Sequence, residues 1–417
     1  GNEWLPFAGP RPPEHAIPYQ VLPFGEMPQV VNPPEGWFVN ANNDPAGTTL
    51  DNDPLNQLRP TGGLYYLNVG YADGLRAGRI TERVRALVAR GDVTAGEMEA
   101  LQADVVLPDS QFFVPQIVLA WDRAGAAYAP TLVSKDRLQE AIGRIGFWDR
   151  TAPTGIPEGW DAADVDGQRL PPSQDEINAS IGATLFSTWR GQMIQRTIDA
   201  TLAPLGLPAP GSDRSVIALR HLLERGGASV SGVDFFAGAP GATLEQRVDN
   251  TILGALEATL AALAGPDFAP AFGGSTNQDD YRWGLLHRIV FDHPLGPPFS
   301  IPPAGGAFPP ELPPDLPGIP VDGGFGAVDA SGHSARADAA NEFRVGSGPV
   351  RRYVGSAGPG PDSIDAVTAL PGGESGVVTS PFYANLLPLW LTNDGYPVVQ
   401  RFGEIRRDRL EQTIFVP

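Results

Sequence analysis

Asn32-Pro33-Pro34-Glu35-Gly36-Trp37-Phe38-Val39-Asn40-Ala41-Asn42-Asn43-Asp44-Pro45-Ala46-Gly47 is the stretch on which the reading of this chain turns. A turn-forming Pro-Pro-Glu-Gly leads into the short apolar run Trp37-Phe38-Val39, whose composition predicts a strand. That strand would deliver side-chain amides into Asn40-Ala41-Asn42-Asn43, and Asp44-Pro45 would end it in a second turn. An amide at the end of a rigid strand is a preorganised donor, the kind of group that stabilises a developing oxyanion. The same four residues also suit an ordinary Asn-rich turn. At the other extreme, the chain begins with Gly1, and nothing near that end reads as a nucleophile.

Composition narrows the classes. The 417 residues, 42% of them hydrophobic, can bury a sizeable core, and 50 Gly with 44 Pro imply long, proline-stiffened loops. A formal charge of −19 disfavours nucleic acid and anionic membrane surfaces as partners. With no cysteine, disulfides, thiolate metal sites and a Cys nucleophile are excluded. No run reaches the apolar length of a transmembrane helix.

Three regions follow from the patterning. Residues 1–78 carry short apolar runs, Gln29-Val30-Val31 and Leu64-Tyr65-Tyr66-Leu67, among Pro, Gly and Asn, and are expected to form strands and ordered loops. Residues 79–265 are expected to be mostly helical. Ile80, Val84, Leu87 and Val88 recur at helical spacing before Gly91, and Thr94-x-x-Glu97, Ser173-x-x-Glu176 and Thr243-x-x-Gln246 have capping-box spacing. Further helices are predicted at about 109–127, 133–147, 173–204 and 213–225. Residues 266–417 return to loops and strands, with a proline-rich extended excursion at 294–320 and strand signals at 350–354 and 386–391.

Several candidates for chemistry have a plain alternative. No Gly-x-Ser-x-Gly elbow occurs, because Gly373-Glu374-Ser375-Gly376-Val377 fails at its last position. His287 and His293 lack a third metal ligand at helical spacing and read as structural, hydrogen-bonded histidines. Gly323-Gly324-Phe325-Gly326 opens no helix after a strand and reads as a turn. Asp51 and Asp53 could offer oxygens to Ca²⁺, but Asp51-Asn52-Asp53-Pro54 is also an ordinary turn. Arg79, at a predicted helix start, pairs with Glu82 on pattern alone.

Taken in order, the segments resemble one family. Leu22-Pro23-Phe24 with Asn32-Pro33-Pro34-Glu35-Gly36-Trp37-Phe38-Val39-Asn40-Ala41-Asn42-Asn43, then Gly78-Arg79-Ile80-Thr81, are followed by Tyr281-Arg282-Trp283-Gly284-Leu285-Leu286-His287 and Phe291-Asp292-His293-Pro294-Leu295. Gly372-Gly373-Glu374-Ser375-Gly376 and Ser380-Pro381-Phe382-Tyr383 with Leu386-Leu387-Pro388-Leu389-Trp390 complete the set. Together they resemble the C-terminal part of the β-subunit of the penicillin acylases, amidases with an N-terminal nucleophile.

The resemblance implies an α+β fold, part of a four-layer αββα sandwich with a helical region and long Pro/Gly-rich loops. It implies a precursor that cleaves itself to expose a serine, whose own α-amino group serves as the base. Asn42 would donate to the oxyanion, and Arg79 would hold the Asn and that α-amino group in place. The nucleophile would lie on a segment ahead of Gly1, so this polypeptide alone is expected to be inactive. The expected partners are the α-subunit, the N-terminal part of the β-subunit and a small-molecule amide. That amide would be the acyl side chain of a β-lactam, an acyl-homoserine lactone or a lipopeptide. Catalysis would need no cofactor, a structural Ca²⁺ in the full assembly stays open with Asp51 and Asp53, and the compartment would be periplasmic or extracellular. A silent scaffold with a structural or binding role is the alternative, and a free-standing enzyme using Ser375 or His287 finds no partnered base.

Overall fold

The structure, a computed structural model, describes residues 22–46, 56–63, 65, 67, 71–91, 93–302, 318–358, 360, 364–409 and 412–414. The chain divides into two compact units, Gly1–Ala86 and Leu87–Pro417.

The first unit is loop-rich up to helix α1 (Leu75–Arg90), which runs on past its boundary. Its loops are tied by side chains. Glu26 accepts from Arg59 Nε at 2.6 Å and from the Thr61 hydroxyl, while the Tyr65 hydroxyl donates to the Glu26 carbonyl. Trp37-Phe38-Val39 and Gln29-Val30-Val31, expected as strands, enter no sheet among the described residues. A strand needs a ladder partner, and here Trp37 is instead covered by Arg85, whose guanidinium lies 5.7 Å from the ring, while Phe38 is exposed.

The second unit is built around helices, and the expected 173–204 helix is interrupted by a π-helical turn at Gln195–Asp199. The helices are α2 (Ala95–Gln102), α3 (Ser110–Ala124), α4 (Lys135–Phe147), α5 (Gln174–Ile194), α6 (Ala200–Leu202), α7 (Ser212–Glu224) and α8 (Leu244–Leu263). Both long core helices, α5 and α8, open with complete capping boxes, Ser173 with Glu176 and Thr243 with Gln246. Thr94 forms only half of one, because Glu97 turns its carboxylate to Arg90 at 2.7 Å. Ser173→Ala is therefore expected to lower stability by about 0.5–2 kcal/mol, read by urea unfolding; an unchanged midpoint would argue against the cap.

Helix α5 packs against α4, α7 and α8 and is buried nearly all round. The aromatic chain Trp148, Phe186, Trp189, Phe113 runs through this core with neighbouring ring centres 5.5–6.0 Å apart. Gly182 lets Trp148 in, since a Cβ there would lie 2.5 Å from its ring. Arg190 of α5 is fully buried and donates to Asp109 at 2.8 Å.

The remainder is irregular with small antiparallel sheets, so the fold is mixed α+β. Strands β1 (Arg288–Ile289) and β2 (Ile319–Pro320) pair, and β3 (Arg352–Ala357), β4 (Ile364–Ala369) and β5 (Tyr396–Pro397) form a second sheet in that order, with Val354 opposite Val367. Residues 386–391, expected as a strand, instead carry the helical turn Leu387–Leu391. Pro388 decides this: it has no N–H for a ladder but suits the first turn of a helix. The turn seats Leu387, Trp390 and Leu391 against Ile289, Ile319, Val321 and Ala369. Of the proline-rich excursion, residues 303–317 lie outside the described residues.

Beside this second core lie buried carboxylates. Asp161 accepts from Thr154 N at 2.6 Å, Asp322 accepts from Ala162 N, and Asp329 holds Ser331. Burial pushes Asp161 up to about 7 against its bonds from Thr154. It raises Asp322 well above the carboxylate range, helped by the charges of Asp161 and Asp329. The native state thus keeps protons that the unfolded chain has already released, so this cluster's contribution to stability falls as pH rises from about 4 towards 7. The stability of the wild type relative to Asp161→Asn is expected to decline over that window in urea titrations; a flat difference would contradict the assignment.

Candidate functional site

The four residues 40–43 divide their labour. Asn40 Oδ1 accepts from Asn42 N at 3.1 Å, and Asn43 Oδ1 accepts from Ala41 N at 3.0 Å. Asn40 thus forms an Asx-turn with the N–H two residues on, while Asn43 reaches back to the N–H two residues before it, so both flanking side chains close the turn. Between them Asn42 takes a left-handed backbone, φ 62°, which Asn tolerates better than most residues. Its carbonyl is pinned by Ala72 N at 2.9 Å. Ala41 is buried, whereas Asn42 is exposed.

One guanidinium fixes the rest. Arg76 Nη2 donates to the Ala41 carbonyl at 2.9 Å and to Asn42 Oδ1 at 2.6 Å. Arginine has only donors, so the amide oxygen must face it, and the Asn42 NH₂ group is turned outward as the donor end. The arrangement can offer an N–H pair to a negatively charged oxygen, with the guanidinium behind it polarising the amide.

Arg76 owes its position to how α1 begins. Asp73 Oδ1 accepts from Leu75 N at 3.0 Å, and Gly74 supplies φ 85° just before the helix. The helix therefore starts four residues ahead of Arg79, and Arg76 falls one turn before it, at the i,i+3 spacing that shares a face. Arg79 donates to Glu82 at 3.0 Å with its side chain 12% exposed. Among the described residues the structure joins Asn42 to Arg76, and Arg79 to Glu82. Arg76 was missed because apolar periodicity becomes visible only at Ile80, although Asp73-Gly74 is itself a start signal.

The model of the penicillin amidase family matches residues 1–407. The chain belongs to the penicillin amidase family. A similar solved structure is a thermostable penicillin G acylase from Alcaligenes faecalis in its orthorhombic form, 18% identical, with a TM-score of 0.47. The match covers 95% of this chain and 59% of that one, so the chain spans less than two thirds of that acylase's length. No curated protein matches the chain.

Elsewhere in this penicillin amidase family chain the other candidates have structural partners. His287 is buried, faces the Phe343 carbonyl through Nδ1 at 2.8 Å and stacks on Trp283; burial lowers it to about 4. His293 Nδ1 accepts from Leu295 N at 3.0 Å. Ser375 Oγ accepts from Val377 N. Gly324-Phe325-Gly326-Ala327 forms a turn closed by Ala327 N to the Gly324 carbonyl at 3.2 Å, and Trp283 Nε1 donates to the Gly323 carbonyl just before it at 2.9 Å. Among the described residues, no group of three or more His, Asp or Glu is placed to hold a metal ion. Asp51 and Asp53 lie outside the described residues. No single described helix is long and apolar enough to cross a membrane.

Proposed function

We propose that this chain supplies the side-chain half of an oxyanion hole to an amidase that cleaves linear C–N amide bonds. The observation that carries the proposal is the Arg76–Asn42 hydrogen bond, which commits the Asn42 amide to the donor role. Membership of the penicillin amidase family supports the reaction class. In the complete assembly a serine at a processed N-terminus, on a segment outside this sequence, attacks the carbonyl and passes its proton to its own α-amino group. Asn42 Nδ2 then meets the oxygen on which charge develops.

The rest of the reading comes with the family. The sheets of this chain would be completed by other chains of the same precursor into the four-layer αββα sandwich. The assembly would be a processed heteromer in the periplasm or outside the cell. Substrates would be amides such as a β-lactam side chain, an acyl-homoserine lactone or a lipopeptide. This polypeptide by itself would be inactive.

The positioning role belongs to Arg76 in this proposal. In the complete assembly, assayed with a chromogenic acyl-amide, Arg76→Ala is expected to lower kcat about 10²-fold, because a small misplacement of an oriented group costs that much. Arg76→Lys should recover only part, since an ammonium lacks the planar fork. Arg79, to which the family resemblance assigns this role, is tested beside it by Arg79→Ala. If Arg79→Ala is the more damaging change, Arg79 holds the site instead; if the complete assembly turns over no amide, the silent-scaffold reading takes its place.

A further inference from the structure

The C-terminal third builds a pocket to which the proposed amide hydrolysis assigns no role. Residues 372–376 and 380–386 are zipped together by Ser375 N to the Phe382 carbonyl at 3.1 Å and Leu386 N to the Gly372 carbonyl at 2.8 Å. Gly373 is required by that approach, because a Cβ there would lie 2.0 Å from the Phe382 carbonyl oxygen. The two segments and β5 border an open surface pocket of about 700 Å³ lined by Glu374, Ser375, Ser380, Phe382, Asn385, Leu386 and Tyr396. That volume lies within the range of small-molecule sites.

The lining is rich in acceptors and carries a single charge. Glu374 is oriented by the Tyr396 hydroxyl, which donates to Oε1 at 2.7 Å, and no described cation forms an ion pair with it. Ser375 Oγ and Ser380 Oγ each accept one backbone N–H, from Val377 and Phe382, which leaves each oxygen a second lone pair. Asn385 adds a side-chain amide to the lining. Phe382, 45% exposed, and Tyr396 supply aromatic faces, and Leu386 the apolar floor. Arg351, which acts electrostatically on Tyr396, is bonded to Thr368 at 2.7 Å and stacked on Tyr353.

We propose that this pocket binds a small organic cation, a protonated primary amine on a short apolar body. An ammonium group has three donors and no acceptor, the complement of a carboxylate flanked by hydroxyl and amide oxygens. Aromatic faces beside it add cation–π attraction. An anion of the same size would meet Glu374 and is excluded. The site lies within residues 372–396, so it stands or falls independently of the reaction assigned to Asn42.

Isothermal titration of the complete assembly with n-butylammonium, 1-butanol and butanoate tests this. Saturable binding of the ammonium alone is expected, weakened about tenfold or more by Glu374→Gln, as for loss of a hydrogen bond to a charged group. Phe382→Ala, at a half-exposed position, should weaken it a few-fold. Absence of saturable ammonium binding, equal binding of butanol or butanoate, or heat unchanged by Glu374→Gln would each overturn the proposal. Circular dichroism of both variants guards against misfolding, and exposed Glu374 gives no reason to expect it.

Discussion

Replacing Asn42 with alanine in the complete assembly should lower kcat by about 10²–10³, the loss typical of one oxyanion donor, while KM stays within a few-fold. A donor used only when charge develops on the carbonyl oxygen contributes little to ground-state binding, so the loss falls on kcat. The backbone complicates a bare alanine result, because Asn42 sits at φ 62° and a non-glycine residue there carries about 1 kcal/mol of strain. Asn42→Gly relieves the strain and still lacks the amide. Glycine and alanine variants that are equally slow assign the loss to the missing N–H. A glycine variant with near wild-type kcat would remove Asn42 from the chemistry.

The second large effect is on stability. Asp109→Ala should cost about 3–5 kcal/mol, a large fraction of what holds a typical domain folded. Arg190 is fully buried, with Asp109 at 2.8 Å, the Ala335 carbonyl at 3.4 Å and the Phe325 ring 4.7 Å from its guanidinium carbon. Burial pushes the Asp109 carboxyl up while Arg190 pulls it down, so the pair coexists under tension between desolvation and attraction. Removing one partner strands the other's charge in the core. Removing both, as Asp109→Leu with Arg190→Met, should restore much of the loss, since the pair's net worth is far smaller than the penalty for breaking it. Urea unfolding of the three proteins decides it, and a single variant as stable as wild type would refute the account.

How much could be read without coordinates depended on whether the signal was local. Capping boxes at Ser173 and Thr243, and Gly91 after α1, are satisfied within a few residues, so their sequence spacing sufficed. Strands were harder, because a strand exists only with a partner. Trp37-Phe38-Val39 has strand composition and no ladder among the described residues, and Leu387–Leu391 has a strand's apolar run with a proline that turned it helical. In the candidate site, Asn42 stood out by position and resemblance. What sequence left hidden was the division among the three Asn side chains and the reach of Arg76 across 34 residues, both products of how the turn folds onto α1.

The amide oxygen of Asn42, held 2.6 Å from a guanidinium, also bears on how the protein ages. Hydrolytic deamidation at this position would convert the neutral bond into a carboxylate–arginine pair, a stronger contact than the one it replaces. The turn would hold at least as firmly, yet an acceptor would now stand where the proposed reaction uses a donor. Stored material could thus lose turnover while its melting temperature holds or rises, a divergence that ordinary stability screening would pass over. Peptide mass spectrometry across residues 37–46, set beside retained activity, would reveal it.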